Sequence, residues 1–325
     1  MTQPRHAETT SPADALRTLR LLWAGLLAYT LLVFVTYARV DPSELYHVHG
    51  SGLSGGLSRA ALMLCLPLAL VGVVSALFFL DRALSFRPLS LVGRWHRRAV
   101  FAAVIVAFIL GWWAPFTVDQ DDLTVGASNI TGALAVGAML ALLAVPLPAR
   151  TALARVRAGA ARPMRSRARV ALTLAVLLML LVSLPWVAAD FGFYLSDAPL
   201  LGRIFVAERL VQGETAVHPG HHHGMDGVLL VLSFLVMLPL TARLAHTGVR
   251  ALARFLACLG VTYGSYNVLQ DFWHEQVWKR SADGFDFANR LYPSLSAEWG
   301  AMVLFAALLF VLLSRASRER RSDGL

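Results

Sequence analysis

Long apolar runs alternate with short polar segments along the chain, and this pattern sets its architecture. Eight runs approach the length needed to cross the roughly 30 Å hydrocarbon core of a bilayer, and they fall at approximately 21–37, 60–80, 99–114, 129–147, 170–187, 226–240, 255–273 and 297–313. Because irregular backbone cannot face lipid, each run is expected to form a helix. The pattern predicts an all-α, polytopic membrane bundle.

The same pattern predicts one membrane domain with polar ends. The eight-helix domain covers residues 21–314 and carries one long loop, 188–225, while residues 1–20 and 315–325 form short tails. At 57% hydrophobic and 15% charged residues, the chain is too apolar for an ordinary soluble domain. A lipid bilayer is therefore its expected surrounding.

The formal charge of +9 suggests nucleic-acid binding, but the placement of the basic residues excludes it. Under an eight-span topology, 22 of the 29 lysines and arginines lie on one side, in alternate loops and both tails. The positive-inside rule assigns that side, with both termini, to the cytoplasm. A single lysine against 28 arginines is typical of bacterial coding sequences rich in G and C. A bacterial plasma (inner) membrane is therefore predicted, with no nucleic-acid partner.

The opposite, extracytoplasmic side is acidic and rich in histidine. It carries 15 of the 20 acidic residues and seven of the ten histidines. Topology accounts for the charge asymmetry, but it does not account for the histidines. Such a surface attracts cations from outside.

Two histidine motifs on that side supply candidate metal ligands. Residues His218–Asp226 read His-Pro-Gly-His-His-His-Gly-Met-Asp, just before the sixth run, and His47 and His49 precede the second. Side chains two apart in an extended segment point the same way, so a His-x-His pair can hold one ion. The alternatives are solvated loop histidines and a flexible polyhistidine loop that binds metal weakly.

The long loop 188–225 contains a predicted helix of its own. A capping residue at Ser196, a stop at Gly213 and an apolar side between them indicate an amphipathic helix on the membrane surface or over the bundle. A second outer loop holds Asp119, Asp121 and Asp122. That loop lacks the glycine and final glutamate of a calcium loop, so it is interpreted as a solvated acidic turn.

The seventh run is the most polar, and its polar residues share one helix face. They are Gly260, Gly264, Asn267, Asp271, His274 and Trp278. The two glycines allow another helix to approach closely. Inward-facing ionisable groups near the end of a span are functional candidates, although a hydrogen-bonded helix end is the alternative.

These motifs predict one site at the outer ends of the helices. Its candidate metal ligands are His47, His49, His221, His223, Asp226, Asp271 and His274, and Glu275 is the candidate catalytic acid or base. Histidine and carboxylate ligands suit zinc or copper, and Met225 slightly favours copper.

Five classes of function remain to be compared. Apolar span centres argue against a transporter, which needs polar groups at mid-membrane, and only His274 could serve a haem between facing helices. A metal-dependent membrane enzyme with an outward-facing site fits better. The alternatives are a metal-handling, assembly or sensing protein, and a structural membrane protein with an incidental histidine-rich loop. The sequence identifies no protein partner.

Overall fold

The computed structural model describes residues 12–85, 90–145, 166–193, 219–280 and 285–322 of the chain. Within these ranges we number the helices α1 (Pro12–Tyr37), α2 (Gly52–Leu57), α3 (Cys65–Ser85), α4 (Leu91–Thr117), α5 (Ala127–Ala144), α6 (Ser166–Val182), α7 (Leu184–Asp190), α8 (His223–Thr241), α9 (Thr247–Gln276) and α10 (Ala297–Ser322). A π-helical stretch, Ser58–Leu62, follows α2, and short 3-10 turns occur at Pro42–Glu44 and Trp278–Arg280. The described ranges contain no β-strand, so the all-α class is confirmed.

The helices have the length and apolarity of membrane spans. Six described helices could cross a bilayer, namely α1, α3, α4, α5, α8 and α10, and α6 with α7 gives a seventh if that pair, bent by 68°, counts as one span. Helix α9 has 30 residues, but its polar stripe keeps it out of this set. The structure thus confirms an all-helical protein with several helices long and apolar enough to cross a membrane, while the count of eight and the side of each terminus remain predictions.

Helices α8 and α9 form the tightest pair in the bundle. A Cβ atom added to Gly227 would lie 2.4 Å from the carbonyl oxygen of Gly264, and one added to Gly264 would lie 2.7 Å from that of Gly227. Gly260 is covered by the ring of Phe234 in the same way. Backbone therefore meets backbone, as expected from the two glycines of α9.

One end of the bundle gathers four segments, 41–51, 118–126, 219–222 and 285–296, and we call it the histidine end. His47 O accepts a hydrogen bond from Leu123 N at 3.0 Å, and Tyr292 Oη accepts one from Gln120 N at 3.2 Å. At the opposite end, the Asp81 carboxylate receives hydrogen bonds from the backbone between α8 and α9. The predicted site residues all lie at the histidine end.

Two sequence predictions about the long loop have different outcomes. The predicted amphipathic helix between Ser196 and Gly213, together with His218, lies outside the described residues. Helix α8 begins at His223, three residues before the predicted start of the sixth run. Part of the histidine-rich motif is therefore the first turn of a helix.

Candidate metal centre

A short backbone pairing brings the two histidine motifs together. Tyr46 N donates to Pro219 O at 3.0 Å, and His221 N donates to Tyr46 O at 2.9 Å. Gly220 between them has φ +137°, and a Cβ atom there would lie 2.4 Å from Tyr46 N. Only glycine allows this conformation and this approach. The segment before α2 is thereby held against the segment before α8.

The three consecutive histidines belong to two different groups. His222 has extended backbone angles, φ −119° and ψ 127°, and side chains in extended backbone alternate in direction. One group consists of His221, His223 and Asp226, and the other of His222, Asp271 and Glu275. In each group, one ligand atom per residue lies within 4.8 Å of the others, and all six residues are buried.

The first group combines an ion pair with unpaired ligand atoms. His221 Nε2 lies 2.8 Å from Asp226 Oδ2, and the rings of His221 and His223 meet edge to face at 5.1 Å. His223 Nδ1 and Asp226 Oδ1 are buried without a hydrogen-bond partner in the described part of the chain, whereas the His221 ring bonds to the backbone of Gln120. Because buried polar atoms are normally paired, this concentration of imidazole and carboxylate atoms suits a metal ion.

Asp226 favours a proton on His221. Asp226 lies in the first turn of α8, where the positive end of the helix dipole stabilises a carboxylate. Burial lowers the pKa of His221, but the charge and hydrogen bond of Asp226 outweigh it, so the pKa is raised above its usual value. A proton on His221 would compete with a metal ion for the ring.

The second group is already partly balanced by a buried cation. Glu275 Oε1 accepts a hydrogen bond from Lys279 Nζ at 2.8 Å, and Lys279 is only 1% exposed. Asp271 Oδ2 accepts from Gly224 N at 2.7 Å and lies 3.7 Å from His222 Nδ1. Buried charges of this kind need such partners. Within the described part of the chain, the ion pair of the first group joins its own members His221 and Asp226, so the first group is the better candidate for a metal ion.

Both groups border one polar cavity of about 770 Å³. Its wall includes the three consecutive histidines, Gln270, Asp271, Glu275, Asp286, and the predicted ligands His47, His49 and His274. Asp226 is not part of the cavity wall, but its carboxylate bonds to His221, which is. The cavity falls within the size range of small-molecule sites.

A segment that we call the strap, residues 285–291, runs along α9 and closes one side of this cavity. Side chains on successive turns of α9 hold it, with bonds from Tyr263 Oη to Leu291 O (3.0 Å), Tyr266 Oη to Ala288 O (2.6 Å), Gln270 Nε2 to Phe287 O (3.2 Å), Trp273 Nε1 to Phe285 O (2.6 Å), and between His274 Nδ1 and Asp286 Oδ2 (2.8 Å). The polar face of α9 therefore positions a wall of the cavity in addition to presenting Asp271.

The seven predicted ligands have different surroundings. His221, His223 and Asp226 form the first group, and Asp271 belongs to the second. The His47 ring bonds to Asp121 O at 2.8 Å and lies 6.2 Å from the His223 ring. His274 stacks on Trp278 at 4.9 Å and bonds to the strap, and His49 is exposed. Among the described residues, these three histidines line the cavity but belong to neither group. Glu275, the predicted acid or base, belongs to the second group.

Sequence reasoning missed three contributors to this end. His222 was omitted from the predicted ligands, although alternation in an extended run would have placed it opposite His221. The acidic turn 119–122, which was interpreted as solvated, provides the carbonyl oxygen that bonds to the His47 ring. Buried Asn129 holds this turn in place, because it accepts a hydrogen bond from Asp119 N at 2.7 Å and donates one to Asp122 O at 2.8 Å.

The third missed contributor is Asp190, at the end of α7. Its carboxylate accepts hydrogen bonds from the hydroxyls of Tyr29 and Tyr37, both on α1. An ionisable residue at the end of a span was the available signal. The contacts join α7 to α1 beside α8.

Comparisons with known proteins add no functional information: no family model, no curated protein and no solved structure matches the chain. Function must therefore be inferred from the geometry of this end of the bundle.

Proposed function

We propose that this protein is a metal-dependent membrane enzyme whose metal ion is bound by His221, His223 and Asp226. The observation that supports it is the first group itself, in which three buried ligand-bearing residues converge beside a polar cavity. Catalytic zinc sites commonly have three protein ligands and keep one coordination position for water or substrate. A flexible polyhistidine loop would expose its rings, whereas His221 and His223 are 3% and 7% exposed.

Zinc is the metal that we favour over copper. Two imidazoles and a carboxylate are typical zinc ligands. The sequence argument for copper depended on the thioether of Met225, but that side chain packs in the apolar core and is absent from the cavity wall.

Glu275 is the proposed acid or base, because it borders the same cavity and lies outside the first group. The alternative, a metal-handling or sensing protein, is favoured by the second group, which could hold another ion through His222, Asp271 and Glu275. The variant Glu275→Gln distinguishes the enzyme from the metal-handling protein. If Glu275 is an acid or base, its replacement should change the metal affinity little. If Glu275 is a ligand, its replacement should remove one bound ion.

The experiment is a zinc and copper(II) titration of the detergent-purified protein at neutral pH. We expect one tight zinc site per chain, lost in His221→Ala and retained in His49→Ala, a matched change at an exposed histidine of the same cavity. Glu275→Gln should leave this site intact. Two ions per chain, one of them lost in Glu275→Gln, would instead support metal handling.

We further propose eight spans, with α9 as the seventh, both termini in the cytoplasm and the histidine end outside. The distribution of arginines supports this orientation. A reporter that is active only in the cytoplasm should be active when it is fused after Leu325. A fusion active only when exported would contradict the orientation.

A further inference from the structure

A second cavity, of about 620 Å³, is lined almost entirely by apolar side chains. Helices α3, α4, α8, α9 and α10 form it together with residues 291–296, and its wall includes Val74, Trp112, Phe116, Leu259, Trp299 and Val303. We call it the apolar groove. No residue of its wall belongs to the wall of the polar cavity.

The groove opens on the surface that would face lipid. Its wall residues Trp112, Phe116 and Val303 are 47%, 47% and 44% exposed. Four of the five helices that form it, α3, α4, α8 and α10, are candidate membrane spans. Exposed apolar surface in a membrane bundle contacts acyl chains, and a concave surface of this volume is large enough to hold one selectively.

The apolar groove and the polar cavity follow one another along two shared elements. On α9, Tyr263 lines the groove and Asp271 lines the polar cavity, and eight residues of helix separate them by about 12 Å. Along the segment that follows, residues 286–289 line the polar cavity, and Leu291 with 293–296 lines the groove. A molecule with a polar head and a long apolar chain matches this succession.

We propose that the apolar groove binds an acyl chain of a membrane phospholipid and directs its head group toward the polar cavity. This inference rests on the proposed function and names its substrate class, a membrane lipid modified in its polar part. The bilayer is the source of the occupant, because the groove is continuous with the surfaces of spanning helices. A small soluble substrate would need the polar cavity alone.

Photocrosslinking in vesicles tests this inference. The protein is reconstituted in phosphatidylcholine and phosphatidylglycerol with one of two probes, a phosphatidylcholine carrying a diazirine either at the end of an acyl chain or on the head group. Crosslinked peptides are mapped by mass spectrometry. We expect the acyl probe to label the groove segments 112–116 and 293–303 several-fold more than the exposed face of α5 around Leu134. We expect the head-group probe to label residues 286–289.

Two variants fill the groove, and a third is their control. An added Cβ atom meets no described residue within 4 Å at Gly300, in the groove wall, or at Gly137, on the exposed face of α5. Gly300→Leu and Val303→Trp should each reduce groove labelling several-fold, while Gly137→Leu should not change it. Melting temperature identifies any variant that fails to fold.

Each outcome decides the question. Equal labelling of all lipid-facing helices, unchanged in both groove variants, would overturn the inference. Groove labelling by the acyl probe without labelling of 286–289 by the head-group probe would show a structural lipid and overturn the substrate assignment. Zinc content is measured on the same samples: zinc without selective labelling contradicts only this inference, and selective labelling without zinc contradicts the proposed metal enzyme.

Discussion

The two ends of the bundle each contain a histidine paired with an aspartate, and they differ in what surrounds the pair. At the opposite end, His246 Nδ1 lies 2.9 Å from Asp81 Oδ1. The backbone also bonds to this carboxylate, since Oδ1 accepts a hydrogen bond from His246 N at 2.8 Å and Oδ2 accepts one from Ala245 N at 3.0 Å. At the histidine end, His221 lies 2.8 Å from Asp226, whose Oδ1 has no hydrogen-bond partner among the described residues.

This difference separates an anchor from a candidate ligand set. Backbone N–H groups satisfy both oxygens of Asp81, so that carboxylate fixes the start of α9 beside α3. Asp226 is 2% exposed, and its unpaired oxygen lies in a group with two buried histidines. A histidine–aspartate pair at nearly the same distance can thus be an anchor at one end and a candidate ligand pair at the other, and the unsatisfied atoms distinguish them.

The largest expected effect comes from exchanging the two carboxylates for amides. Asp226→Asn removes a charged ligand and should weaken zinc binding by about 100-fold, the upper end of the range for losses at metal sites. Asp81→Asn, the matched control, should leave the affinity unchanged and lower the melting temperature. Zinc titration and thermal unfolding of both variants measure this. Equal losses of zinc affinity in the two variants would contradict the assignment of Asp226 as a ligand and Asp81 as an anchor.

A smaller effect is expected from a glycine that lets the two groups approach each other. A Cβ atom on Gly224 would lie 2.3 Å from the ring of Trp186 and 2.8 Å from Asp271 Oδ2, so Gly224→Ala must displace α8 at the turn that carries both groups. Overpacking of this kind costs about 1–3 kcal/mol, and we expect a roughly tenfold loss of zinc affinity from the displaced ligands.

Gly248→Ala is the control for that variant. Gly248 lies in the first turn of α9 at the opposite end, and a Cβ atom there meets nothing within 4 Å in the described ranges. It should alter neither zinc affinity nor melting temperature. Unchanged zinc binding in Gly224→Ala, despite a lower melting temperature, would mean that the ligands are not fixed by this helix turn.

The smallest effects should come from α9 and would refine the boundary of the site. Asp271→Ala removes the acceptor of Gly224 N and should weaken zinc binding by about tenfold, the lower end of the range for residues that support ligands. His274→Ala should do less, because its ring bonds to Asp286 in the strap. Zinc titration of the two variants tests this order. A larger loss in His274→Ala would place that histidine among the ligands.

The sequence was sufficient to predict the helical membrane class, the close packing at Gly260 and Gly264, and a cluster around residues 221–226. These follow from local rules: apolar length, the small volume of glycine, and the chemistry of neighbouring side chains. The division of three adjacent histidines between two groups follows from the extended backbone at His222, and that backbone depends on pairing with Tyr46 from a distant segment.

Longer-range contacts were outside the reach of sequence patterns. Tyr263, Tyr266 and Gln270 lie in the seventh run, and nothing local in the sequence indicates that they bind the strap. Lys279 likewise gave no signal, since a lone lysine after a span is usually solvated, yet here it is buried against Glu275. Such pairings depend on which segments meet in space.

Elemental analysis of the purified protein tests the central claim most directly. The wild type, a His221→Ala/His223→Ala double variant and a His246→Ala control are purified without added metal and analysed for transition metals per chain. We predict about one zinc ion in the wild type and in His246→Ala, as expected for a site with three protein ligands, and almost none in the double variant. Equal, substoichiometric metal in all three proteins would contradict the account.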